Sequence, residues 1–108
     1  MGVFLGNLTI ANGGSNSTAI SGRILRTVGA LELHMPSAFT GTVTLASADD
    51  IDNTAFTTMQ SGGSDIGLTA AKTLTLTETP MHGFRAESDG AEGAERVIGV
   101  FGEEKPHQ

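Results

Sequence analysis

The residues best suited to chemistry are an acidic run, Asp49, Asp50, Asp52 and Asn53, and three histidines, His34, His82 and His107. Calcium takes several carboxylate and carbonyl oxygens from a tight loop, so the acidic run is the one stretch with metal-ligand character. It lacks the glycine at the sixth and the glutamate at the twelfth position of an EF-hand loop, and Asp and Asn also close turns through their own side chains. It reads as a solvated turn without a metal. The histidines fall on separate segments without the spacing of a zinc site or an acid–base pair. Gly13-Gly14 is followed by neither a lysine nor a helix, so it cannot cradle phosphate. With no cysteine in the chain, disulfides, thiolate metal sites and thiol catalysis are excluded. No catalytic, cofactor-binding or metal-ligating residue is assigned, and the chain reads as non-enzymatic.

The basic residues remain. Arginine is enriched at interface hot spots because its planar fork pairs with carboxylates and stacks on rings. Arg23, Arg26, Arg85, Arg96 and Lys105 are therefore the candidate partner contacts. Met35, Met59 and Met81 are adaptable thioethers that fill gaps, and their expected place is the core. Asn7-Leu8-Thr9 and Asn16-Ser17-Thr18 match glycosylation acceptors, a pattern that recurs by chance in a chain rich in Asn and Thr.

Composition narrows the function classes. A chain of 108 residues builds one thin core and one domain, spanning 1–108. The net charge of −6, with six Lys and Arg in all, opposes nucleic-acid binding, which needs clustered cations to displace counterions. Five Phe with no Trp or Tyr give a poor platform for stacking sugars. The opening Met1 to Asn7 has neither the basic nor the long apolar stretch of a signal peptide, Gly6 stands where myristoylation wants Ser or Thr, and no membrane span is visible.

The elements that must carry these residues are strands. Period-two alternation is clearest in Thr42-Val43-Thr44-Leu45 and Thr73-Leu74-Thr75-Leu76-Thr77, with β-branched, polar Thr on the wet row. Turn clusters at Asn12 to Asn16, Asp49 to Asn53 and Ser61 to Asp65 divide the chain. The segments Val3–Ala11, Ser17–Leu25, Gly29–Met35, Thr42–Ser47, Thr54–Gln60, Lys72–Thr77, His82–Ser88 and Glu95–Phe101 give about eight short strands, with a weak piece at Ile66–Thr69. The expected fold is all-β: an antiparallel β-sandwich, jelly-roll-like. A helix over Ser21–Leu33 fits the apolar spacing less well, because Gly22, Thr27 and Gly29 oppose it. The expected core is Leu8, Ile10, Ile20, Leu31, Leu33, Val43, Leu45, Phe56, Leu74, Leu76, Phe84, Val97 and Phe101. A short N-terminal arm, Gly2 to Asn7, and a polar tail, Glu103 to Gln108, are expected to leave this core and to be ordered by neighbouring molecules.

Four segments resemble a family of short virion structural proteins of tailed bacteriophages. They are Ser17 to Ile20; Leu31 to Pro36 with the loop Ser37-Ala38-Phe39-Thr40; the Thr42 to Leu45 strand running through Ser47 and Asp49 to Phe56-Thr57-Thr58-Met59; and Gly90 to Ala94 with the closing strand Glu95 to Gly102. The longer acidic turn, Asp50 to Asn53, departs from the compact Asp-Gly of such proteins. The resemblance implies a jelly-roll capsid decoration or cement protein that bridges major capsid protein subunits and associates with other copies of itself. It would be made in the host cytoplasm and sit on the capsid surface, without nucleic acid, membrane or cofactor. A phage tail or head-to-tail structural protein of the same fold is the alternative, and a carbohydrate-binding module is the second.

Overall fold

Apolar–polar alternation is realised as ten strands and one helical turn in a computed structural model that describes residues 3–25, 28–49, 55–61, 63–77 and 82–104. In chain order these are β1 (Val3–Ile10), α1 (Gly22–Leu25), β2 (Val28–His34), β3 (Val43–Ala48), β4 (Phe56–Thr58), β5 (Gln60–Ser61), β6 (Ser64–Asp65), β7 (Gly67–Leu68), β8 (Thr73–Leu76), β9 (Phe84–Ser88) and β10 (Arg96–Glu104). The fold is an all-β antiparallel sandwich. One sheet has the order β1-β10-β2-β8. In the other, β3 is central: β9 pairs along one edge, and β4 and β7 share the opposite edge. β5 and β6 form a small separate hairpin.

The core lies between the two sheets. Leu8 and Ile10, Ile98 and Val100, and Leu31 and Leu33 face inward from the first sheet; Val43, Leu45, Phe84 and Ala86 meet them from the second. Ile20, Leu25, Val28 and Leu68 close the cluster. Leu74 and Leu76 are half-buried because β8 is the edge strand of its sheet.

The segment expected as a strand over Ser17–Leu25 is divided. Its first part, with Asn16 just before it, stitches the sheets together through bridges Ile10↔Ser17, Asn16↔Glu87 and Ile20↔Phe84. The Ser17 amide donates to the Ala86 carbonyl at 2.9 Å, and the Ala86 amide donates back to Ser17 Oγ at 2.8 Å. The second part is the turn α1. Ser21 caps it, with Oγ accepting from the Arg23 amide at 3.2 Å and its carbonyl accepting from the Ile24 amide at 3.1 Å. Strand β2 begins at Val28, so no helix extends to Leu33.

Three expectations need correction, two of them about side-chain direction. In β10 the parity is reversed: Ile98 and Val100 are buried, Val97 is 39% exposed and Phe101 lies on the outer face. Both parities of Val97-Ile98-Gly99-Val100-Phe101-Gly102 are apolar, so alternation cannot choose between them. Packing chooses: a Cβ on Gly102 would stand 2.7 Å from Val28 Cγ1 and 3.0 Å from Leu5 Cδ1, so glycine must take the crowded inner position. Phe56, paired with Ala48, also faces outward, where the Arg85 guanidinium stacks 3.9 Å from its ring centroid. Arg85, Phe56 and Thr58 share that face with Ala46 and Ala48, both buried although they point away from the core.

The chain ends are the third correction. Val3 to Asn7 belong to β1 and pair with β10, and Glu103 and Glu104 pair with β2, so these residues fold onto their own sheet. The remaining residues of the expected arm and tail, Gly2 and Lys105 to Gln108, lie outside the described residues.

Candidate functional site

Two features organise the surface chemistry, and the first is a buried carboxylate. Glu92 is 1% exposed, on the connection between β9 and β10. Its Oε1 accepts from the Thr40 amide at 2.7 Å and from Arg96 Nε at 3.0 Å; its Oε2 accepts from the Gly41 amide at 2.8 Å and from Ser88 Oγ at 2.8 Å. Burial alone would push its pKa up. The two amides, the serine hydroxyl and the guanidinium outweigh that and hold it at about 2. Thr40 Oγ1 completes the cage by accepting from Arg96 Nη2 at 3.0 Å and from the Gly93 amide at 2.9 Å. The Glu92 main chain joins the turn after β1, donating to the Gly14 carbonyl at 2.9 Å and accepting from the Gly13 amide at 2.7 Å. One residue thus ties three loops at one end of the sandwich. Its role is structural.

The second feature is the outer face of the β1-β10-β2-β8 sheet. Phe4, Phe101, Glu32 and Thr75 form one cross-strand row. The Phe4 and Phe101 ring centroids are 5.3 Å apart, and the His34 ring meets Phe101 edge-on at 5.0 Å. His34 Nε2 donates to Glu32 Oε1 at 2.6 Å. Phe4 is 54% exposed, and Val97 lies two residues from Gly99 and four from Phe101 on the same face. A groove of about 410 Å³ opens beside Phe101, between Glu32, Ala30 and Glu103. Sequence reasoning missed this face because it placed Val97 and Phe101 in the core.

The candidate contact residues are scattered. Arg23 is exposed on α1. Arg85 is engaged within its own sheet, with Nε and Nη2 donating to Glu87 Oε2 at 2.9 and 2.7 Å and the guanidinium over Phe56. Arg96 is taken up by Glu92 and Thr40, so its fork holds the fold together. Arg26 and Lys105 lie outside the described residues. Of the acidic run, Asp49 accepts a hydrogen bond from Thr57 Oγ1 at 2.8 Å, and Asp50 to Asn53 are outside the described residues, as is His107. Among the described residues, no group of three His, Asp or Glu side chains is arranged to hold a metal ion, and no helix is long and apolar enough to cross a membrane.

Glu92 carried a faint sequence signal: an acid set between Gly90-Ala91 and Gly93-Ala94, four residues before an arginine. The converging amides of Thr40 and Gly41, some fifty residues away, had none. No family model, curated protein or solved structure matches the chain.

Proposed function

We propose that this chain is a non-enzymatic structural protein of a tailed-phage virion, a decoration or cement protein that bridges neighbouring major capsid protein subunits. The observation that carries the reading is the outer sheet face, where Phe4 and Val97 are exposed and the half-buried Phe101 ring lies against Phe4 on a four-stranded sheet. Large apolar side chains grouped on one face favour contact with another surface, and aromatic residues are enriched in interface cores. The sequence resemblance supplies the identity of that surface as a capsid. Repetition on a symmetric shell multiplies a modest contact, so each copy needs only this one face and its rim. The chain would work on the capsid surface after synthesis in the host cytoplasm, alongside other copies of itself.

The test is reconstitution. Particles of the encoding phage that lack the chain are mixed with the purified protein, and bound copies and particle melting temperature are measured. Hundreds of bound copies and a raised melting temperature are expected. Phe4→Ser should lower occupancy at least about tenfold at equal protein concentration, since an aromatic anchor contributes on the order of 2 kcal/mol at an interface. Unchanged occupancy of the variant rules out this face as the contact.

A further inference from the structure

We propose that the groove beside Phe101 receives a basic side chain, an arginine or lysine, from the partner that docks on this face. The inference rests on the outer face being the docking surface and specifies what that partner presents. The groove is floored by Ala30, a small residue paired across the strands with Glu103, so the sheet surface dips there. Glu32 and Glu103 are both exposed beside it, and the Phe101 ring forms a third wall. Glu32 uses Oε1 for His34, leaving Oε2 for an incoming donor. An aromatic ring flanked by carboxylates suits a cation carried on an aliphatic stem: the stem lies on the ring and the charged head reaches the acids.

Charge supports the direction of the pairing. The chain carries −6 overall, and among the described residues no Lys or Arg lines this groove. Arg85 and Arg96 already serve Glu87 and Glu92 elsewhere. A second acidic surface would be repelled here, and a purely apolar partner would cover Glu103 and the Glu32 oxygen not held by His34 without pairing them, a desolvation cost with no return. A basic residue removes that cost and adds to the apolar contact made by Phe4 and Val97.

The isotope-labelled full chain, followed by amide chemical shifts, tests this with acetyl-Gly-Arg-Gly-amide as the probe. The control is the same peptide carrying citrulline, which keeps the shape and removes the charge. Shifts are expected at Glu32, Thr75 and Phe101 to Glu103, with the arginine peptide binding about fivefold or more tightly than the citrulline peptide. The double variant Glu32→Gln, Glu103→Gln alters two exposed side chains, so the fold is kept; it should bring the arginine peptide down to the citrulline level. Equal binding of the two peptides, or shifts outside the groove, overturns the inference. If Phe4→Ser empties the particles while the peptides bind alike, the face docks without a cation. If the peptide preference holds while Phe4→Ser particles stay occupied, the groove chemistry stands and the capsid reading of this face fails.

Discussion

Arg96 Nε lies 3.0 Å from Glu92 Oε1, a pair four residues apart in a stretch without helix, and through it the start of β10 is joined to the loop before β3. The glutamate side chain is fully buried and the arginine is 17% exposed. Such a pair is costly to break from one side, because the surviving group keeps its burial and loses its counter-charge.

Glu92→Gln should destabilise the domain by about 3 kcal/mol, since an amide NH₂ would face the donors of Thr40, Gly41 or Arg96. Urea unfolding at neutral pH measures the loss. Glu87→Gln, on the half-exposed pair with Arg85, should cost about 1 kcal/mol or less.

The same residue makes an acid-sensitive contribution. Its folded pKa of about 2 lies below the ordinary 4.5, so the unfolded chain takes up a proton that the folded chain refuses between those values. The stabilisation is full above about pH 4.5 and is lost as pH falls towards 2. Unfolding free energies followed from pH 5 to pH 2.5 should fall less steeply for Glu92→Gln than for the native chain. Parallel slopes would mean that the carboxylate is not held ionised.

Gly41 sits where side chains converge. A Cβ there would collide with the Asp89 carboxylate and stand 2.6 Å from Ser88 Oγ, and these groups can move aside only by giving up their hydrogen bonds with the Thr42 amide and with Glu92 Oε2. Gly41→Ala should therefore cost about 1 to 3 kcal/mol, seen as a lower melting temperature, although the residue is outside the hydrophobic core.

The direction of β10 side chains can be tested by paired truncation. Ile98→Ala should cost about 2 to 5 kcal/mol, and Val97→Ala less than about 1 kcal/mol, because the first is fully buried and the second is 39% exposed. Equal losses in urea unfolding would contradict the observed register.

Strand identity was legible wherever polar and apolar residues alternate strictly. Thr42 to Leu45 and Thr73 to Leu76 became β3 and β8 with Val43 and Leu45 in the core, because a period of two leaves one face to bury. Where both parities are apolar, as from Val97 to Gly102, local pattern is silent; the crowding of Leu5 and Val28 over Gly102 decided the register. Phe56 is a similar case, drawn outward by pairing with Ala48 and held there by Arg85. The Glu92 cage was beyond reach because its donors at Thr40 and Gly41 are remote in the chain and are main-chain amides, which every residue but proline carries. All-β class follows from composition and period, which are local properties. Which apolar residues face water, and which arginines are engaged within the fold, depend on contacts between distant strands, and only the tertiary structure supplies those.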